Sequence, residues 1–477
     1  MTDPRLLGVG AYAPRSAITS DTIAEAWDRH LASGIGQCAI PAGDEDALTM
    51  AWEAATRAIK AADCRPMDIA YLSFATTAPP IGEEELTARL GSMLGVEHDT
   101  RSVYTIGSTR AGTQTLLGAL DAGPWADGIG LVVVADAPAG APGTEHGHGA
   151  GAGAGAVVLG KGDGGSVLDT SSSTRVGPGE RFRPDGEPHT TGLGVTGYDR
   201  QAYRETIIDA VEGLDDPSTG VDAVVVQAPD GRRPYRLASA LGVDTEVIHR
   251  GTTVHELGDT GAACVLLGLV RAIEEGATTV LMAGYGPGAG ADALLLDTSS
   301  IPVESSIDPE PGLSAMAALR RRGHFDRGEP AGGGAYISLP TWRRSLAQRH
   351  RLVAGHCLDC GDLNLPPAGA CSACGTTTGY DTVELEGTGT IEAVTKISAG
   401  GSPPEFAEYQ DRVGPFQTAL VAFDGPGDHQ VSLPVMVVDD TEVKNGDRVT
   451  SVIRRLYIQE GLPRYGLKVR SIESVGD

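Results

Sequence analysis

Residues 151–160, GAGAGAVVLG, return at 288–297 as GAGADALLLD, with six of ten positions identical and the apolar run differing only by Val/Leu exchange. A glycine-rich tract of low complexity could produce such a match by composition alone. Here each copy follows an apolar run, GIGLVVVADAP (128–138) and TTVLMAGYGPG (278–288), and then turns into one itself. Short apolar runs bounded by glycine and proline read as strands buried on both faces. The two stretches are therefore the same strand pair in two copies of one unit, and the chain is internally duplicated.

Outward from these anchors, the same grammar fills both copies. In the first, ALTMAWEAATRAIKAA (47–62) is an amphipathic helix introduced by the acidic GDEDALT, and DIAYLSFATT (68–77) is a buried strand. RSVYT (101–105) is a strand leading into IGSTRAGTQTLLGAL (106–120), where small residues pass into a helical apolar pattern. In the second, DAVVVQAPDG (222–231) is a buried strand and RRPYRLASALG (232–242) a helix closed by Gly242. HELGDTGAACVLLGLVRAIEEG (255–276) is a small-residue turn followed by a helix. Alternating helix and strand patterns point to an α/β fold. Abundant Gly and Ala suit two such halves packed face to face, because only small side chains let helices approach so closely.

The 477 residues exceed one small core and imply several domains. No apolar run is long enough for a membrane span, and the N-terminus lacks the pattern of a secretory signal, so a cytoplasmic location is expected. A net charge of −26, with only five lysines among 37 basic residues, reads as an acidic surface adapted to a salt-rich cytoplasm. It also argues against nucleic acid, whose partners carry basic patches. Cys38, Cys64 and Cys264 stand singly among small or helical residues and read as core thiols.

The segments AGDEDALTMAWEAA, TRAGTQTL, QAPDGRRPYRLASALG, LGDTGAACVLLGL and GYGPGAGADALLL run in order over roughly 300 residues. In that order they resemble the thiolase superfamily, and within it 3-hydroxy-3-methylglutaryl-CoA synthase, especially its archaeal branch. The resemblance implies a duplicated fold of two βαβαβαββ halves with a pair of helices buried between sheets. It also implies a cysteine nucleophile in a motif like A-C-K-A-G-T, where this chain reads STRAGT and places Thr109. The family's histidine position falls on Gln227 in VQAPDGRRP, its glutamate on Thr77, and the asparagine of its G-N-T turn on Asp259. Thioester exchange needs a thiolate, and a threonine hydroxyl is too weakly acidic to replace it. Gln227 and Thr77 cannot exchange protons near neutral pH. No cysteine lies between residues 65 and 263, so no shift of register restores the nucleophile. One rescue would be Ser108 activated by His255 or Asp259 in a triad-like arrangement; another is weak hydrolysis supported by the helix N-terminus. Arg232, Arg233 and Arg236 cluster where the family carries a basic residue beside coenzyme A, although a solvated helix start would look the same.

After residue 300 the pattern breaks into a linker with a short helix, SAMAALRRRG. Cys357, Cys360, Cys371 and Cys374 then form two C-x2-C knuckles, each followed by glycine. Four thiolates at this spacing suit a closed structural zinc site; two disulfides, a redox pair or a rubredoxin-type iron centre are the alternatives. YDTVELEGTGTIEAVTKIS, FQTALVAFDG, VSLPVMVVDD, DRVTSVIRRLY and YGLKVRSI read as five strands of an OB-type barrel. This stretch resembles the zinc-ribbon and OB-fold proteins associated with acyl-CoA enzymes. Residues 351–477 carry 10 basic and 18 acidic residues, a net of −8, without the positive groove and stacking aromatics of a strand binder.

The expected domains are two thiolase-like halves (1–165 and 166–300), a linker (301–350), a rubredoxin-like zinc ribbon (351–378) and an OB-fold (379–477). The resemblance implies acyl-CoA as ligand, zinc as structural metal, and a homodimer or a heteromer with an active thiolase-type enzyme around shared coenzyme A. The reading is a non-catalytic or catalytically altered acyl-CoA-binding subunit that scaffolds such an enzyme. The alternatives are an acyltransferase with a remodelled Ser/Thr site and an OB-fold nucleic-acid-binding protein.

Overall fold

The computed structural model describes all residues except 1–3, 124, 126, 127, 216, 218, 219, 289, 329–333, 439, 440 and 473–477. Contacts divide the chain into two compact units, one built mainly from residues up to Ala318 and the other mainly from Leu319–Asp477, with the short segments Ala42–Glu45 and Ser92–Gly95 grouped in the second.

In the first unit, strand β1 (Arg5–Tyr12) leads to helix α1 (Ala47–Ala61), then β2 (Ile69–Thr76), β3 (Arg101–Ile106), α2 (Ala111–Ala122), β4 (Ile129–Asp136) and β5 (Gly153–Gly160). Asp46 caps α1 by accepting the N–H groups of Leu48 and Thr49, while the Thr49 hydroxyl accepts from the Asp46 N–H. The acidic lead-in read from the sequence is therefore a capping box. The second half runs β6 (Ser166–Thr174), α3 (Thr196–Val211), β7 (Ala223–Val226), α4 (Cys264–Glu274), β8 (Thr279–Gly286) and β9 (Gly290–Asp297).

The first sheet has the order β10-β1-β5-β4-β2-β3, where β10 is Val303–Ser306, and the second has the order β6-β9-β8-β7. The duplicated stretches become β5 and β9. Each runs antiparallel to the strand before it, with Val133 opposite Ala156 and Ala283 opposite Ala293. The copies are not equal, however: the second sheet has no counterpart of β3 among the described residues, and Thr245–His249 is a helical turn instead. Helices α2 and α4 lie between the sheets in one core, where Leu116 and Ala119 meet Val265 and Leu266, with Val132 and Val134 from one sheet and Val225 and Met282 from the other. Gly112 fixes the closeness of this layer, since a Cβ there would come 2.3 Å from the Ala262 carbonyl oxygen.

The segment expected as a linker is partly structured. Val303–Ser306 pairs in parallel with β1, and Glu310–Pro311 pairs with Ser16–Ala17. Its part 329–333 lies outside the described residues.

In the second unit, β11 (Val353–Cys357) pairs antiparallel with β12 (Leu363–Asn364) and β13 (Tyr380–Glu384). A closed barrel follows, with strands β14 (Thr388–Ile397), β15 (Phe416–Asp424), β16 (Gln430–Val437), β17 (Arg448–Gln459) and β18 (Leu462–Ser471) in the order β14-β15-β16-β18-β17. The stretch read as the first barrel strand is thus two strands. Tyr380–Glu384 belongs to the ribbon sheet, and Gly387, at φ +83°, precedes the barrel strand proper. Ile391, Val421, Phe423, Val449 and Val469 fill the barrel interior.

Candidate functional site

The turn from β3 into α2 carries Ser108 and Thr109. Thr109 is 3% exposed, and its hydroxyl donates to the Tyr285 carbonyl at the end of β8, 2.6 Å away. Ser108 is half-buried and packs against Gly286, where an added Cβ would lie 2.4 Å from its Oγ. Gln227 follows β7, and its N–H bonds the Ala283 carbonyl on the same strand β8 (3.0 Å). Gln227 is 1% exposed, and neither atom of its side-chain amide has a hydrogen-bond partner.

Thr77 holds a different group. Its hydroxyl donates to Asp136 Oδ2 at 2.6 Å; the Ala262 N–H bonds the same oxygen at 2.8 Å, and Thr76 and the Ala137 N–H bond Oδ1. Asp136 is fully buried, and burial pushes its carboxyl above the usual range against the pull of these donors. A Cβ on Gly261, at φ +55°, would fall 2.1 Å from Asp136, so only glycine fits beside this anchor. The Asp136 network joins the end of β4 to the start of α4, a structural task in which Thr77 takes part.

Asp259 is paired with Arg181 in a buried ion pair, and its Oδ1 also accepts the Gly261 N–H at 3.0 Å. Arg183 donates to the Thr77 carbonyl at 3.0 Å, and the Thr190 N–H bonds the Ala139 carbonyl at 2.7 Å. The stretch between β6 and α3 is therefore clamped over two of the four family positions. Sequence reasoning missed Arg181 and Asp136. Two arginines in GERFRPDG and an aspartate closing an apolar strand were the available signals, and neither names its partner.

The proposed Ser108–His255–Asp259 rescue is not assembled. His255 Nδ1 bonds the Gly34 carbonyl and Nε2 the Tyr235 hydroxyl, while Asp259 is held by Arg181. Among the arginines, Arg232 and Arg236 are exposed, whereas Arg233 pairs with Asp230 (Nε–Oδ2, 3.0 Å). Asp230 also accepts the N–H groups of Arg232 and Arg233. The three guanidinium groups are thus not a single patch.

Arg233, Asp230 and Asp259 line a cavity of about 230 Å³ together with His146, Glu180 and Asp199. Glu180 also lines a neighbouring cavity of about 340 Å³ with Tyr285. The Tyr285 hydroxyl donates to Glu180 Oε1 at 2.5 Å. Burial raises the carboxyls of Glu180 and Asp199, and burial followed by the charge of Arg181 lowers His146. The expected core thiols Cys38 and Cys264 are buried, and Cys64 is half-buried. Burial pushes the Cys264 thiol up to about 12.

The four ribbon cysteines bring their sulfurs within 4.8 Å of one another. Cys357 and Cys374 are 3.8 Å apart at Sγ, and Cys360 and Cys371 are 3.6 Å apart. A tetrahedron with Zn–S bonds of about 2.3 Å has edges of about 3.8 Å. The separations match that figure and far exceed a disulfide bond of about 2.05 Å. Asn364 Nδ2 donates to Cys371 Sγ at 3.4 Å, as an outer partner of a metal-bound thiolate would. The site fits a structural zinc held by Cys357, Cys360, Cys371 and Cys374, with no position left for water.

Residues 344–378 match the family described as the ChsH2 rubredoxin-like zinc ribbon domain. Over 303 residues the chain is 30% identical to the hydroxymethylglutaryl-CoA synthase of Methanopyrus kandleri, covering 60% of this chain and 85% of that one. The corresponding synthase of Caldivirga maquilingensis is 29% identical, over 62% of this chain and 87% of its own. Among solved structures, MvaS in complex with 3-hydroxy-3-methylglutaryl coenzyme A superposes with a TM-score of 0.57 at 16% identity, over 71% of this chain and 95% of that one. This last likeness establishes the fold.

Proposed function

The chain belongs to the hydroxymethylglutaryl-CoA synthase family, and on that premise we propose that it binds acyl-CoA without performing the family's covalent condensation. The observation that carries this reading is the Thr109 hydroxyl, buried at the nucleophile position and bound to the Tyr285 carbonyl. A hydroxyl whose proton is given to a carbonyl, with no base beside it, does not attack a thioester. Gln227 offers no proton transfer, Thr77 is engaged by Asp136, and Asp259 is neutralised by Arg181. Of the four positions matched to the family's chemistry, Thr109, Thr77 and Asp259 are engaged within the fold, and the Gln227 amide is buried without a partner.

Acyl-CoA binding is supported by the cavity beside Asp259 and Arg233, whose guanidinium suits a phosphate or thioester oxygen. The zinc ribbon and barrel would then join this subunit to an active thiolase-type enzyme that supplies the cysteine. The exposed edge strand β3, with Ile106 at its end, is an open position for a second copy or that partner. The surface charge of −26 suits a salt-rich cytoplasm. Basic residues of the second unit are engaged within it: Lys468 lies over Tyr409, Arg464 over Trp342, and Arg448 on Asp424. That arrangement argues against the nucleic-acid alternative. Among the described residues no helix is long and apolar enough to cross a membrane.

The test incubates the zinc-loaded chain in molar salt with acetyl-CoA and acetoacetyl-CoA, measuring both binding and release of free coenzyme A. The reading expects binding without release. Release abolished by Thr109→Ala or Ser108→Ala would overturn it and identify a hydroxyl nucleophile.

A further inference from the structure

In the 230 Å³ cavity, most charges are matched by protein partners. Asp259 has Arg181, and Asp230 has Arg233 and two backbone N–H groups. Of the other three carboxylates in the lining, Glu145 is exposed, and Glu180 and Asp199 are buried. Glu180 and Asp199 are 7% and 6% exposed, and Glu180 Oε2 and Asp199 Oδ1 have no hydrogen-bond partner. Tyr285 occupies the other Glu180 oxygen and fixes the carboxylate in place. His146, on the same wall, is held neutral by burial and by Arg181, so it supplies no countercharge. Leaving a buried acceptor unsatisfied costs about 1–3 kcal/mol. A ligand that brings donors removes this cost, and one that brings another carboxylate adds repulsion to it.

We infer that this cavity selects acyl groups bearing a hydrogen-bond donor, a hydroxyl or an ammonium, and rejects acyl groups ending in a carboxylate, with Glu180 and Asp199 as the specificity-determining residues. The inference rests on the proposed reading that acyl-CoA is the ligand and that its acyl end enters here. The cavity is too small for the whole coenzyme and is of a size to take a short acyl chain. Discrimination of this kind is sharp because a site built to receive a donor leaves its own acceptors unpaired when the donor is missing.

The experiment has two arms on the full-length, zinc-loaded protein. In the first, equilibrium dialysis compares butyryl-CoA, 3-hydroxybutyryl-CoA, 3-aminobutyryl-CoA and 3-hydroxy-3-methylglutaryl-CoA. One charge-assisted hydrogen bond predicts that the hydroxyl or amino thioester binds about tenfold tighter than butyryl-CoA. The carboxylate-bearing thioester should bind weakest. The hydroxyl and amino thioesters distinguish the two donor sources. In the second arm, saturation-transfer NMR compares free propane-1,3-diol and propane-1,3-diamine with glutarate.

Glu180→Gln and Asp199→Asn should each remove the preference, bringing the hydroxyl and amino thioesters to the affinity that butyryl-CoA shows for the same variant. Tyr285→Phe, which frees the Glu180 carboxylate without deleting it, is the control should either variant fold poorly. Thioester binding without any donor preference overturns the inference and leaves the functional reading standing. Binding of the free donors, lost in the variants, with no thioester bound, upholds the donor site and overturns the functional reading. Binding of neither class overturns both.

Discussion

On the proposed reading, placing a cysteine at position 109 tests whether burial or the absent thiol keeps the site from acylation. Thr109→Cys would place a thiol where the hydroxyl is 3% exposed. Cys264 gives the local scale: it is 4% exposed, opens helix α4, and burial pushes it to about 12. A thiol buried to the same degree at position 109 would be shifted in the same direction, leaving far less thiolate at pH 7 than the about 3% of a free cysteine near 8.5. A helix N-terminus contributes at most ~2 kcal/mol, or about 1.5 pKa units, which does not close that gap. Thr109→Cys alone should therefore take no acetyl group from acetyl-CoA, read by intact mass over hours. Adding Gln227→His supplies a proton acceptor at the family's histidine position, where a positioned base is worth about 10²–10⁴-fold. The double variant should acetylate at least tenfold faster than the single one, and a backbone-neutral Thr109→Ser control should stay unlabelled. Equal labelling of single and double variants would refute the reasoning, because the thiol would then be ionised without help.

Three further outcomes follow from the same geometry. Arg181→Met leaves Asp259 buried and unpaired and should cost about 3–5 kcal/mol in urea unfolding, most of it recovered when Asp259→Asn is added. Glu180, Asp199 and Asp136 all have carboxyls raised by burial, so the folded chain holds more protons than the unfolded chain above the ordinary carboxylate range. Stability from these groups is complete below that range and is lost as pH rises through their raised values; Glu180→Gln should flatten the decline of the urea midpoint as pH rises above the ordinary carboxylate range. One zinc per chain should be found by metal analysis, and Cys371→Ser should lose it, with protease cleavage appearing in the ribbon while the first unit keeps its resistance.

The fold was legible because its determinants are periodic and local. Apolar runs gave the strands, the Asp46 box gave α1, and the repeat gave the doubling of β5 and β9. What the sequence concealed depends on partners far along the chain. Nothing in RSVYT says that β3 is an edge strand, since that depends on which strands pair elsewhere. The ribbon strand Tyr380–Glu384 and the barrel strand after it run together as one β-rich stretch, and the join shows only in which neighbour each selects. The zinc ligands were legible because four cysteines in two knuckles carry their own geometry. The contacts around Asp259 and Glu180 were not, because Arg181 reaches Asp259 across 78 residues and Tyr285 reaches Glu180 across 105.

The STRAGT motif separates what such a family keeps for packing from what it keeps for chemistry. Gly112 must be glycine because α2 touches the Ala262 carbonyl at that point. The Thr113 hydroxyl bonds Asp292 at 2.8 Å, and Arg110 grips the same carboxylate with two bonds, at 2.9 and 2.6 Å. Arg110, Gly112 and Thr113 therefore fasten the two halves together whether or not the site turns over. Substituting any of them threatens the fold, whereas the residue at 109 need only be small enough to bury and able to satisfy its own polar atom. Threonine meets both conditions through Tyr285. Packing alone is thus enough to hold Arg110, Gly112 and Thr113 in this motif, whatever residue stands at 109. On the proposed reading Thr109 is the reacting position, and its hydroxyl is buried and bound to the Tyr285 carbonyl, so activity has to be tested at that residue rather than read from the motif around it.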